Sequence, residues 1–350
     1  MVEVDGAYGE GGGQIVRTAC ALAARTRQAC RITNIRQARR APGLRLQHVL
    51  AVRALRDLCR GSVIGDRIGS RELTFHPGAI AARGISVAID TAASIPLIAQ
   101  CLLPDLISAP GPLRLTFAGG ATDTAFAPPY DYFRGVFLWF LQRIGIHVNV
   151  EAGRRGFYPA GGAQVSIKVT PAKPNRLILT ERGQLKGIRL LSAASTLLKQ
   201  RKVAERQVEG ALRLLDAAPI APEAVIEYVP SISPGSALCI IAEFERTVLA
   251  ATALGARGKM AEQVGWEAAQ RFVIELNSSG CLDCHMADQI LPYMALAENS
   301  GCVTVSEITE HCRTNMWVIE RFIDGKFEVQ AQSIRWTPPK RNERPATCCV

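Results

Sequence analysis

Gly9-Glu10-Gly11-Gly12-Gly13-Gln14-Ile15-Val16-Arg17-Thr18 is a glycine-dense loop that runs straight into a helix. Four glycines within five positions let the backbone take positive φ and bring N–H groups close to a ligand. Beyond Gly13, Ile15, Ala19 and Leu22 recur at helical spacing. The loop therefore ends at a helix N-terminus, whose free N–H groups and dipole favour an anion. Gln14 and Arg17, one turn apart, add side chains able to hold phosphate oxygens. Glu10 opposes an anion unless it faces a metal ion or a basic group. Taken alone, the stretch is equally a tight strand-to-helix turn with a surface glutamate.

Outward from this loop one pattern recurs: an apolar helix, a short strand, a polar loop, a second helix. The first copy has its helix at 14–25, its strand at 31–35, its loop over 36–43 and its second helix at 44–59. The second has a helix at 92–103, a strand at 113–117, a loop from Gly119 to Pro129 and a helix at 131–144. The third has a helix at 289–298, a strand at 302–305, a loop through Glu310-His311-Cys312-Arg313 and a helix at 315–322. A hairpin-like segment (72–75 and 85–89) joins the first two copies. The steps between copies are about 80 and about 195 residues, so about 110 residues are in excess before the third. That excess has its own pattern over 184–277: a strand at 187–191, an amphipathic helix through Val203, Val208, Leu212 and Leu215, then strands at 224–228 and 237–245. It reads as an inserted α/β module.

Composition narrows the classes. In 350 residues, 48% hydrophobic content is ample for a core, and no window is apolar enough to span a membrane. The N-terminus lacks the basic-then-apolar form of a signal peptide, so a cytoplasmic protein is expected. Lys+Arg 41 against Asp+Glu 31 gives +10, which suits a polyanionic partner such as nucleic acid or a nucleotide. Of the 11 cysteines, Cys20, Cys101 and Cys239 sit among apolar residues as core side chains. Cys281-Leu282-Asp283-Cys284-His285 fits the c-type haem attachment pattern, but that chemistry needs export, and haem is not expected. Cys348-Cys349-Val350 is no prenylation box and reads as a solvated tail.

If the copies pack together, their equivalent loops converge. They would gather Glu10, Gln14 and Arg17; Arg36, Arg39 and Gln47; Gln100 with Pro128; and Asp288, Gln289 and His311. His311 stands in a polar loop just before a helix, with Arg313 two residues on. Among arginines, such a histidine can be a nucleophile, a general base or a plain ligand, and alone it is equally a helix cap. As a nucleophile on a nucleotide's α-phosphate it would form a phosphoramidate, with arginines and a metal neutralising charge. Asp288 could orient the imidazole. His76 and His147 read as structural; His48 stays undecided. No Walker A, G-x-G-x-x-G or G-x-S-x-G sequence occurs.

The run from Asp5 to Arg17, Pro42-Gly43-Leu44 with Gln47-His48, Gly156-Phe157-Tyr158-Pro159-Ala160-Gly161-Gly162, Ala287-Asp288-Gln289, and His311 with Thr314-Asn315 resemble the RNA 3′-terminal phosphate cyclases. The resemblance covers nearly the whole chain. It implies an α/β (α+β) fold: a large domain of three repeated βα units around a pseudo-threefold, at 1–183 and 278–338. A small α/β domain is inserted at 184–277, and a tail occupies 339–350.

The implied reaction has three steps. His311 takes AMP from ATP and releases pyrophosphate. AMP then passes to an RNA 3′-phosphate, and the neighbouring 2′-hydroxyl closes a 2′,3′-cyclic phosphate while expelling AMP. Carried over residue by residue, Glu10 matches a metal-contacting acid, the metal being Mg or Mn. Arg17, Arg36 and Arg39 match phosphate-binding arginines, and Gln14, Gln47 and Gln100 match polar site residues. Pro128 matches a residue packing on adenine, and Asp288 and Gln289 match groups near the histidine and the nucleotide. His285 stands where an aromatic platform for adenine is expected.

Two alternatives stay open. Relatives of this fold that lack the nucleophilic histidine act as RNA-binding proteins in ribosome assembly. Enolpyruvyl transferases use a similar repeated architecture but lack the N-terminal motif.

Overall fold

A computed structural model describes residues 1–80 and 84–339. The chain opens with β1 (Val2–Asp5), α1 (Gly13–Thr26), β2 (Cys30–Thr33), α2 (Leu46–Cys59), β3 (Ser62–Ile64) and β4 (Leu73–His76). In α1, Ile15, Ala19 and Leu22 are buried as their spacing predicts. The helix stops at Arg27, which takes φ 56° and returns its N–H to the carbonyls of Ala23 and Ala24.

The second stretch runs β5 (Gly84–Ser94), α3 (Ile95–Leu106), β6 (Leu113–Ala121), α4 (Tyr130–Tyr132), a π-helical turn (Phe133–Phe137), α5 (Leu138–Arg143), β7 (His147–Arg154) and β8 (Gln164–Thr170). After β9 (Ile178–Leu179) come β10 (Leu185–Ser195), α6 (Val203–Leu215), β11 (Glu223–Val229), β12 (Ser236–Phe244), β13 (Val248–Leu254) and α7 (Ala261–Asn277). The chain then adds α8 (Cys284–Leu296), β14 (Gly301–Thr304), α9 (Glu310–Ile319), β15 (Lys326–Gln330) and β16 (Ser333–Thr337).

Three of the four sheets share one plan. Their orders are β1-β2-β4-β3, β5-β6-β8-β7 and β9-β14-β16-β15. In each, the first pair is parallel and the other two pairs are antiparallel. The fourth sheet, β11-β10-β12-β13, comes wholly from the stretch between β9 and α8.

β12 shows how the fourth sheet is seated. Leu238, Ile240 and Ala242 join a core with α6 and α7, while Cys239 and Ile241 belong to the core that the other three sheets share. Both faces are covered, so Ser236–Ala242 is buried without interruption and its apolar run does not alternate.

Several sequence expectations need correction. Strands 72–75 and 85–89 do not form a hairpin: β4 pairs with β2 and β3, and β5 pairs with β6 in another sheet. The helix expected at 131–144 is broken into α4, a π-turn and α5. The third copy's helices begin earlier, at Cys284 and Glu310, so His311 is helical rather than in a loop. The reason is capping. Asp283 accepts from His285 N and Met286 N, and Thr309 accepts from Cys312 N, which starts each helix ahead of its apolar residues. The Cys348-Cys349-Val350 tail lies outside the described residues. No described helix is long and apolar enough to cross a membrane.

Candidate active site

α1 packs against α2, α3 and α9, so its N-terminus faces the first turns of neighbouring helices. Unlike α8 and α9, α1 has no side-chain cap: its N-cap is Gly12, leaving the first-turn N–H groups without one. Gly13 has to be glycine here, because a Cβ would lie 2.0 Å from His48 Nε2. This settles His48. It is buried beneath the loop, its Nδ1 accepts from Arg45 N at 3.0 Å, and burial and Arg17 hold its pKa down at about 3. It is a neutral structural histidine.

His311 lies on the first turn of α9, half-exposed. Its Nδ1 is 2.5 Å from Gln14 Oε1, and Gln14 Nε2 donates to Asp288 Oδ2 at 2.6 Å. Its Nε2 is 2.9 Å from Glu10 Oε2, and Arg39 Nη2 is 3.5 Å from the same oxygen. A line therefore runs from α8 through α1 to the imidazole and on to the glycine loop. Burial lowers the pKa of His311; Glu10 opposes this, while Arg17, Arg39 and His285 add to it. Burial raises Asp288 to about 7 against the pull of Arg17. The Arg17 guanidinium is lowered by its own burial, with Asp288 among the groups opposing.

Beside this line, Gln100 Nε2 donates to Gln289 Oε1 at 2.5 Å, and Gln289 Nε2 donates to the His285 carbonyl at 2.6 Å. Gln14, Arg17, Gln100, Asp288 and Gln289 all line one cleft, together with Phe137 and Tyr293. The structure thus brings together Glu10, Gln14, Arg17, Arg39, Asp288 and His311, with Gln100 and Gln289 in the same cleft and the His285 carbonyl bonded to Gln289. Arg36 serves its own loop, donating to the Ala41 and Gly43 carbonyls at 2.7 and 3.0 Å. Gln47, on the first turn of α2, and Pro128, just before α4, are half-buried. Among the described residues no hydrogen bond ties either to the His311 line.

Sequence reasoning missed three supports. Thr18 donates to Asn315 Oδ1 at 2.7 Å and Asn315 donates to the Asp288 carbonyl at 2.6 Å, locking α1, α8 and α9 together. Thr18 is four residues past Gln14, so helical spacing alone places it on the same face. Asp283, buried and raised to about 6 by that burial, accepts from Tyr132 OH and from Ala250 N, which fixes α8 against α4 and β13. Arg155 is buried between Asp123 and Asp131 at 2.6 and 2.7 Å, and Asp123 Oδ1 also accepts from Tyr130 N. That network anchors the end of the segment carrying Pro128.

The arrangement can present one imidazole nitrogen to an electrophile while the other is held. It can also receive phosphates at the α1 N-terminus and on Arg17 and Arg39.

The family model described as RNA 3′-terminal phosphate cyclase matches residues 8–329. Proteins named RNA 3′-terminal phosphate cyclase are similar along nearly their whole length. That of Pyrococcus furiosus is 41% identical over 331 residues, covering 94% of this chain and 95% of the relative. That of Sulfolobus acidocaldarius is 42% identical over 335 residues, covering 95% and 98%. That of Pyrobaculum aerophilum is 40% identical over 339 residues, covering 96% and 97%. The enolpyruvyl transferase NikO of Streptomyces tendae overlaps at a TM-score of 0.29 and 11% identity, covering 99% of this chain and 84% of that one. A likeness that weak carries no argument.

Proposed function

Because this chain belongs to the RNA 3′-terminal phosphate cyclase family, we propose that it converts an RNA 3′-phosphate to a 2′,3′-cyclic phosphodiester using ATP, through a covalent histidyl-AMP on His311. The observation that carries this reading is the Asp288–Gln14–His311 line. Gln14 Nε2 donates to a carboxylate oxygen, so its Oε1 turns to His311 and accepts the Nδ1–H. The 2.9 Å contact of Glu10 with Nε2 needs a proton between them; once the incoming phosphate displaces Glu10, the neutral ring keeps Nδ1–H and its lone pair is on Nε2. Lowering of the pKa by burial favours that neutral, nucleophilic form at neutral pH.

His311 Nε2 attacks the α-phosphorus, the bond to the bridging oxygen breaks, and pyrophosphate leaves with the electron pair. The incoming phosphate replaces Glu10 at Nε2. Arg17, Arg39 and the α1 N–H groups hold the phosphate oxygens as charge builds. A 3′-phosphate oxygen of RNA then attacks the AMP phosphorus and frees His311. Finally the 2′-hydroxyl attacks the 3′-phosphorus, AMP leaves, and the ring closes. Adenylylation is needed because a bare phosphate monoester offers no good leaving group.

Among the described residues no group of three or more His, Cys, Asp or Glu forms a metal cage. Glu10 still fits a hard cation, Mg or Mn, which keeps one carboxylate along with phosphate oxygens and water. Such a cation supplies charge neutralisation on the phosphates. On the family pattern, Pro128 and His285 flank the adenine, Gln47 and Arg36 stand by the phosphates, and the reaction takes place in the cytoplasm.

A non-catalytic ribosome-assembly role would leave the His311 line without a task. Incubation with α-labelled ATP and a divalent metal separates the two readings. The cyclase takes up label in the absence of RNA; a binding protein does not.

A further inference from the structure

Tyr8 lies flat on the indole of Trp317, with ring centroids 4.0 Å apart and 7° between the planes. The Arg321 guanidinium lies over the same indole at 4.6 Å, which completes a three-layer stack. Tyr8 is two positions before Glu10 in the glycine loop, and Trp317 is on α9, the helix that carries His311. The stack therefore joins the two segments that meet at His311 Nε2.

Tyr8 remains 42% exposed although one face is covered. A flat ring keeps such exposure only through its other face and edge. The loop is also held by its own backbone. Its turn is closed by backbone bonds, Tyr8 N to the Asp5 carbonyl at 3.3 Å and Gly11 N to the Tyr8 carbonyl at 2.9 Å. Among the described residues the phenol makes no hydrogen bond. The outer face of Tyr8 is therefore open, two positions along the loop from Glu10, whose Oε2 lies 2.9 Å from His311 Nε2.

The two imidazole nitrogens divide the site. Nδ1 looks through Gln14 to Asp288, which lines the cleft together with Gln100 and Gln289. Nε2 looks to Glu10 and the glycine loop. With the nucleotide's base on the α8 side, the acceptor strand is left the loop side, where Tyr8 is.

We propose that the open face of Tyr8, backed by Trp317 and Arg321, is the stacking platform for the terminal base of the RNA whose 3′-phosphate enters at His311. This rests on the cyclase reading above. An aromatic face accepts every base without reading its edge, so the platform fixes the position of the strand's end and leaves its sequence free.

The test uses the full chain with Tyr8→Leu and Tyr8→Phe, and RNAs ending in a normal or an abasic 3′-phosphorylated nucleotide. Tyr8→Leu raises the RNA KM about tenfold, the scale of one base–aromatic stack, while Tyr8→Phe stays near wild type. The abasic end raises the wild-type KM by a similar factor and is indifferent to Tyr8→Leu. RNA-independent labelling of His311 keeps its rate in both variants. Two results overturn the proposal. One is an abasic end bound as well as a normal one. The other is Tyr8→Leu slowing His311 labelling as much as cyclisation, which would make the stack only a brace for the loop. If wild type takes no label, the cyclase reading fails by itself. Direct binding of the same RNAs then decides the platform, with equal affinity for normal and abasic ends counting against it.

Discussion

His311 Nδ1 and Gln14 Oε1 meet at 2.5 Å although 297 positions separate the two residues. The contact orients the imidazole, and on the proposed reading it leaves Nε2, which faces Glu10, as the nitrogen that reacts. Gln14→Leu removes the acceptor and the link to Asp288 while keeping the helix. Single-turnover labelling by α-labelled ATP is expected to slow about a hundredfold, as for loss of an orienting partner in proton and nucleophile chemistry. An unchanged rate would remove Gln14 from the mechanism.

Asp288 carries a pH signature. Burial raises its pKa from 3.8 to about 7, so the folded protein holds a proton that the unfolded chain releases. This contribution to stability is full below about pH 4 and lost as pH rises through about 7. Above that, the buried charge costs stability. Asp288→Asn is therefore expected to raise the unfolding free energy at pH 8 by on the order of 1–2 kcal/mol once the open cleft is allowed for, with a higher Tm, and to do little at pH 4. Thermal unfolding of both proteins at the two pH values checks the sign.

Arg39 separates function from stability. Its 3.5 Å pair with Glu10 is half-exposed, so Arg39→Ala should change unfolding free energy by less than about 0.5 kcal/mol. Loss of a charge-assisted phosphate contact should raise the KM for ATP about tenfold or more. Steady-state kinetics with a denaturant curve tests both halves.

Arg155 is the opposite case. Arg155→Met leaves Asp123 and Asp131 buried without their cation, an expected cost of about 3–5 kcal/mol. A variant as stable as wild type would mean that the network does not anchor the Pro128 segment.

The sequence made the chemistry more legible than its placement. The glycine loop and α1 could be read from residue types and spacing, whereas Glu10, Gln14, Asp288 and His311 were gathered only on the condition that the copies' loops converge. The first turns of α8 and α9 could not, because Cys284-His285 and Glu310–Arg313 are polar and helical periodicity starts only after them. Asp283 and Thr309 were the missed signals, each an N-cap residue accepting from N–H groups two or three positions on. Thr18 was missed for another reason: only its partner Asn315, 297 positions away, shows what it does. The false hairpin has a third cause. Periodicity identifies strands at 72–75 and 85–89 but carries no record of which sheet each joins. β12 escaped alternation because two cores share it.

The central claim is a covalent bond between His311 and AMP. Wild-type protein and His311→Ala are incubated with α-labelled ATP and Mg or Mn, denatured, and assayed for bound label. The account predicts acid-labile, alkali-stable label on wild type and none on His311→Ala, with both folded alike. Label retained in His311→Ala, or none on wild type with either metal, would contradict it.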